Sequence, residues 1–144
     1  MAIFNDIEQE RIREAVAAAE RSTSGEIRIC IERTTQEPAL DRAVTYFHKL
    51  GMEKTKLRNG VIIYLAVDDK QFAIIGDSGI NKVVPENFWD STKEAMLAEF
   101  KKGNMVEGIV AGIKLAGEQL KKYFPSVAND TNELSDDVAF GDED

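Results

Sequence analysis

Glu26, Asn59 and Asp77 each stand where an apolar run starts or stops, and each carries oxygen donors. Two carboxylates, one side-chain amide and nearby loop carbonyls are what hard divalent cations such as calcium and magnesium take as ligands. The same residue types also close turns: Asn59-Gly60 and Asp77-Ser78-Gly79 are ordinary turn sequences. Spacing alone leaves both readings open. A second oxygen-rich group, Glu32 with Asp68, Asp69 and the loop 34–37, falls at the far ends of the same runs. An Asp-Asp pair is equally common hairpin chemistry.

Whether these residues meet depends on the elements that carry them. Residues 26–33 alternate, with Ile27, Ile29 and Ile31 on one side and Glu26, Arg28, Cys30 and Glu32 on the other, which predicts a strand. Residues 61–67 form an unbroken, β-branched apolar run, the pattern of a central strand covered on both faces. The turn Asp68-Asp69-Lys70 leads into a third strand over 71–75, so strands two and three form an antiparallel hairpin.

Helical spacing appears four times. Ile7, Ile12, Ala15, Val16 and Ala19 mark a helix over 5–22, with Asn5 or Asp6 as its cap. Leu40, Val44, Phe47 and Leu50 mark a second, closed by Gly51. Phe88, Trp89, Thr92, Met96 and Phe100 mark a third. Met105, Ile109, Ile113, Ala116 and Leu120 mark a fourth, opened by a capping box at Asn104-x-x-Glu107. Gly108 and Gly112 offer that helix a close-packing face.

The order α-β-α-β-β-α-α places a helix between the first two strands, a βαβ unit whose strands run parallel. The expected fold is α/β, a three-layer α/β/α sandwich on a small mixed sheet. That topology brings Glu26, Asn59 and Asp77 to one end of the sheet, and Glu32, Asp68 and Asp69 to the other.

Composition narrows the chemistry. Cys30 and His48 are the only residues of their types in 144. Internal disulfides, multi-thiolate zinc sites and two-histidine metal sites are therefore excluded. Cys30 reads as a small buried filler, His48 as a helix-face residue and Trp89 as a core anchor. No phosphate-loop, nucleophile-elbow or zinc-protease motif occurs. The net charge is −8, but seven of the acidic residues and none of the basic ones lie in 126–144. Residues 1–125 are close to neutral, so neither nucleic acid nor an anionic membrane is an expected partner. The longest apolar run has seven residues, against about 20 for a membrane span. No secretory signal is legible, and the expected location is cytoplasmic.

Residues 1–125 are read as one domain and 126–144 as an acidic, disordered tail. Leu134, Val138 and Phe140 among its acids could dock a basic protein partner. An EF-hand reading of Asp130-x-Asn132 fails at Leu134 and Ser135.

A set of local motifs adds to this. They are Ser24-Gly25-Glu26-Ile27, the segments 58–66 and 72–80, Val84-Pro85 and Phe88-Trp89-Asp90. Together they resemble the TPM domain family, shared with a thylakoid-lumen protein of photosystem repair, over roughly residues 5–124. The resemblance implies an α/β/α sandwich that binds a divalent metal, calcium in particular, in acidic loops at a sheet end. It carries that role to Glu26, Asn59 and Asp77, and secondarily to Asp68 and Asp69. It also implies acid-phosphatase activity, attributed to the plant relative. Arg58 and Lys54 would then be the phosphate partners. One departure stands out: many relatives carry Gly-aromatic-Gly where this chain has Gly76-Asp77-Ser78-Gly79. Three functions follow as expectations: a calcium- or magnesium-binding module, a metal-dependent phosphatase, or an interaction module using the tail.

Overall fold

The computed structural model describes residues 3–126 and 139–140. Helix α1 (Asp6–Ser22) leads into β1 (Glu26–Glu32), and α2 (Ala39–Lys49) connects β1 to β2 (Gly60–Ala66). Strand β3 (Gln71–Gly76) follows, then the short α3 (Ser78–Asn81), α4 (Asp90–Lys101) and α5 (Met105–Lys121). Strands β1 and β2 are parallel and β2 and β3 antiparallel. A two-residue strand, β4 (Ala139–Phe140), lies parallel to β1 opposite Cys30 and Ile31. The sheet order is β3-β2-β1-β4. The remainder of the tail, including Leu134 and Val138, lies outside the described residues.

Three layers result. Ile27, Ile29 and Ile31 share one face with Val61, Ile63 and Leu65, and α1, α4 and α5 cover it through Ile12, Val16, Met96, Ile109 and Ile113. The opposite face, with Cys30, Ile62, Tyr64 and Ala66, lies under α2 through Ala43, Tyr46 and Phe47. All seven residues of both β1 and β2 are buried. This is the double coverage that the unbroken run 61–67 implies.

The close approach of α4 and α5 depends on the predicted small residues. A Cβ on Gly108 would lie 2.4 Å from the Phe100 ring, and one on Gly112 2.5 Å from the Met96 sulfur. Helix α1 starts with a reciprocal box in which Asn5 and Glu8 cap each other's backbone N–H. No helix among the described residues is long and apolar enough to cross a membrane.

Three local expectations are corrected. Helix α2 does not bury Leu40 and Val44, which are 58% and 41% exposed. It rotates to bury Ala39, Ala43, Tyr46 and Phe47 instead. The two aromatic rings carry the larger apolar area, and the Tyr46 hydroxyl finds a buried carboxylate in Glu32. Ile7 is likewise exposed, and Phe4 fills the core at that end of α1. The capping box at α5 does not form. Asn104 donates to the Glu99 carboxylate, and Glu107 turns away to pair with Arg11.

Candidate functional site

The sheet register brings Glu26, Asn59 and Asp77 together as the topology requires. Glu26 lies opposite Gly60 on β2, and Val61 lies opposite Gly76 on β3. The Asp77 backbone N–H donates to the Gly60 carbonyl at 2.9 Å. Asn59, Gly60, Glu26 and Asp77 therefore share one sheet end. All three polar side chains are buried: Asn59 is 1% exposed, Glu26 4% and Asp77 6%. Buried polar groups of this kind persist only with partners.

Asp77 has the best-defined partners. Its carboxylate accepts the Ser78 N–H at 2.7 Å, capping α3. It also accepts a bidentate pair from Arg58, Nε at 2.7 Å and Nη2 at 3.0 Å. This fork geometry is the strong form of an Arg–carboxylate contact. It raises the Arg58 guanidinium pKa through the hydrogen bonds from Asp77. Arg58 itself is 49% exposed at the side chain. Its φ of 51° lies in the left-handed region, which non-glycine residues seldom occupy. Asn59 receives the Thr55 hydroxyl oxygen as acceptor for its backbone N–H at 3.3 Å. Its amide reaches Ser24 Oγ at 3.4 Å.

The turn after Asp77 packs backbone on backbone. The Gly79 N–H donates to the Arg58 carbonyl at 2.8 Å. A Cβ on Gly79 would fall 2.0 Å from the Leu57 carbonyl oxygen. Loop 57–59 and turn 77–79 are thus locked together, and the lock sets where Arg58 can aim.

The other sheet end is organised differently. Glu32, 6% exposed, accepts Arg42 Nε at 2.8 Å and Nη2 at 3.0 Å. It accepts the Tyr46 and Tyr64 hydroxyls at 3.0 and 2.7 Å. Burial pushes the Glu32 carboxyl up, but the hydrogen bonds from Arg42, Tyr64 and Tyr46 outweigh it and hold it below the usual range. Burial and the same carboxylate push the Tyr46 phenol up to about 12 and the Tyr64 phenol higher than usual as well. Asp68 and Asp69 sit apart from this network on the hairpin turn, where Asp69 accepts the Thr35 N–H at 2.7 Å. Glu32 and the hairpin pair therefore do not converge. Among the described residues, no three His, Cys, Asp or Glu side chains gather into a group that could hold a metal. At the first end, the donor set needs the Asn59 amide and backbone oxygens beside its two carboxylates.

The Glu32 network was not anticipated from sequence. Its signal was present: Arg42 and Tyr46 are four apart on one helix, and Tyr64 stands opposite Cys30, beside Glu32, in the parallel register.

Cys30 is fully buried, and burial pushes its thiol up to about 12. Thiolate, the reactive form, is then scarce at neutral pH. The folded protein is expected to resist a thiol-alkylating reagent, reacting only at the rate of unfolding. Fast native-state alkylation, followed by mass spectrometry, would contradict this burial.

A family model described as TPM domain matches residues 1–119. The solution structure of BA42, a protein of the psychrophilic bacterium Bizionia argentinensis, is similar at 47% identity, with a TM-score of 0.91 and 96% of each chain covered. The N-terminal domain of a P. gingivalis protein shares the fold at 17% identity and a TM-score of 0.69, covering 85% of this chain and 79% of that one. The N-terminal domain of cg2496 from Corynebacterium glutamicum does so at 12% identity and a TM-score of 0.64, covering 94% and 80%. A comparison with curated proteins finds no match.

Proposed function

This chain belongs to the TPM domain family, and on that premise we propose that it is a divalent-cation-binding module whose site is the sheet end formed by Glu26, Asn59 and Asp77. One observation carries the reading. The buried Asp77 carboxylate is neutralised by a side chain that is half in solvent, Arg58. A cation is already required at that position, and the one supplied can leave. Calcium or magnesium arriving from solvent would exchange with the guanidinium at Asp77, with the Asn59 amide and Glu26 as further oxygen donors.

The donor chemistry fits. Carboxylate, amide and carbonyl oxygens are the ligands that both ions take. Two carboxylates are few for tight binding, so water would complete the shell, as magnesium in particular prefers. When bound, the ion would supply concentrated positive charge at the mouth of the site. Asp68 and Asp69, exposed on the opposite turn, are the competing location.

An NMR titration of the metal-free protein with each ion tests the proposal. Saturable amide shifts centred on Glu26, Asn59, Gly60 and Asp77 are expected, and Asp77→Asn should abolish them. Shifts centred on Asp68 and Asp69, or a non-saturating response of the acidic tail, would overturn the assignment.

A metal-dependent acid-phosphatase-like activity is the second reading. The observation in its favour is that Arg58 and Lys54 flank the same sheet end on one connection, 52–58. An anion could pair with Arg58 once it is released from Asp77. Release of phosphate from an aryl phosphate at acidic to neutral pH, dependent on added magnesium or calcium, is the expected result. No release under any of these conditions would remove the reading.

A further inference from the structure

At the hairpin end of the sheet, away from Asp77, a cleft of about 370 Å³ opens between the strands and the helices above them. Leu65 and Phe72 form its sheet side, Leu97 and Phe100 come from α4, and Met105 opens α5. Phe72 and Phe100 meet edge to face at 5.5 Å. Leu97 is 42% exposed, a large apolar residue left in water on α4. Among the described residues, the only charged ones that line the cleft are Lys70 and Lys101. The clefts beside Arg11–Glu107 and Glu94–Lys122 mix both signs of charge, and this one does not.

We propose that this cleft binds a free, single-chain alkyl carboxylate. Its volume lies at the small-molecule end of ligand sites, which is too little for a helix or a strand of another protein. The lining is apolar except for two ammonium groups, so the matching ligand is apolar except for one anionic head. Lysine serves as a point charge and sets no bidentate geometry, which suits a carboxylate at the mouth with its chain against the aromatic pair. Lys70 extends from a turn residue with φ of 56°, held in place by the hairpin. The proposal is independent of the cation site, which lies at the other end of the sheet.

The test is an NMR titration of the full chain with sodium octanoate, with octan-1-ol as the uncharged control. Octanoate should give saturable shifts at Leu65, Phe72, Leu97, Phe100 and Met105. A Lys70→Asn/Lys101→Gln variant should bind octanoate about tenfold more weakly, two exposed charge contacts together, and octan-1-ol no differently. Asparagine suits the left-handed position, and both lysines are exposed, so this variant should fold. Leu97→Glu should weaken both ligands. Equal affinity of the parent for octanoate and octan-1-ol would overturn the proposal, as would shifts that do not saturate. Binding to phosphatidylglycerol vesicles without octanoate binding would assign the cleft to a membrane surface instead. Perturbation of the same ligand-free amides by Asp142→Asn/Glu143→Gln/Asp144→Asn would assign it to the chain's own terminus.

Discussion

Glu32→Ala is expected to destabilise the protein by about 3–5 kcal/mol, since it orphans two buried hydroxyls at about 1–3 kcal/mol each and breaks a half-buried ion pair. The change takes the acceptor from two buried hydroxyls, Tyr46 and Tyr64, and leaves Arg42, partly in solvent, with the Glu37 carboxylate at 3.9 Å. Each orphaned hydroxyl is left with its desolvation cost uncompensated. In a domain of this size the loss amounts to a fall in Tm of roughly 10–15 °C. Glu32→Gln keeps the shape and one acceptor oxygen, so it should lose less.

The pH dependence follows from the same cluster. The Glu32 carboxyl is held below its ordinary range. Its contribution is therefore complete above the ordinary carboxylate pKa and disappears as pH falls through the lowered value. Glu32→Gln should flatten that acid limb. The Tyr46 phenol, raised to about 12, acts in the opposite direction. Its contribution is complete below the ordinary phenol pKa of about 10 and is lost as pH rises toward the raised value. Urea unfolding of parent and variants across pH measures both limbs. A Glu32→Ala variant as stable as the parent would show that the network contributes nothing.

Gly79→Ala is expected to cost about 1–3 kcal/mol through overpacking. The added methyl would meet the Leu57 carbonyl oxygen at 2.0 Å and the Arg58 carbonyl oxygen at 2.6 Å. Both obstacles are backbone, so the clash is relieved only by separating loop 57–59 from turn 77–79. That separation moves Arg58 relative to Asp77, so the variant should alter the cation response as well as stability. Gly103→Ala is the control. Gly103 has a φ of 84° and nothing within 4 Å of an added Cβ, so its cost is backbone strain alone, about 1–2 kcal/mol, with no effect on cation binding. Parent-like thermal unfolding of Gly79→Ala would contradict the packed loops.

The layers and the sheet were legible because two periods in the sequence are unambiguous. Alternation at Ile27, Ile29 and Ile31 and the unbroken run 61–67 defined β1 and β2. The interposed helix made them parallel. The hairpin followed from the short turn at Asp68. From those facts alone, Glu26, Asn59 and Asp77 had to share a sheet end, and they do. What escaped was rotation and partnership. Leu40 and Val44 are the more apolar-looking stripe of α2, yet the helix turns them outward because Tyr46 gains both area and a carboxylate. Glu107 sits at capping-box spacing, yet Arg11, far away in sequence, claims it. The commitment of Arg58 to Asp77 was equally invisible, because a nineteen-residue separation across two strands leaves no local pattern. Side-chain partners chosen through the tertiary fold are not written in periodicity.

The central claim is that Asp77 exchanges Arg58 for a divalent cation, and the most direct measurement is the affinity of Arg58→Asn against the parent. Asparagine tolerates the left-handed backbone at this position, and the substitution removes the competing charge together with its two hydrogen bonds to Asp77. Calcium and magnesium dissociation constants would be measured by calorimetry, with NMR shifts to locate the ion. The account predicts that Arg58→Asn binds about tenfold more tightly, since a repelling unit charge a few ångströms from the ion is gone, with shifts still centred on Glu26, Asn59 and Asp77. Unchanged or weaker binding, or shifts that move away from those residues, would contradict it.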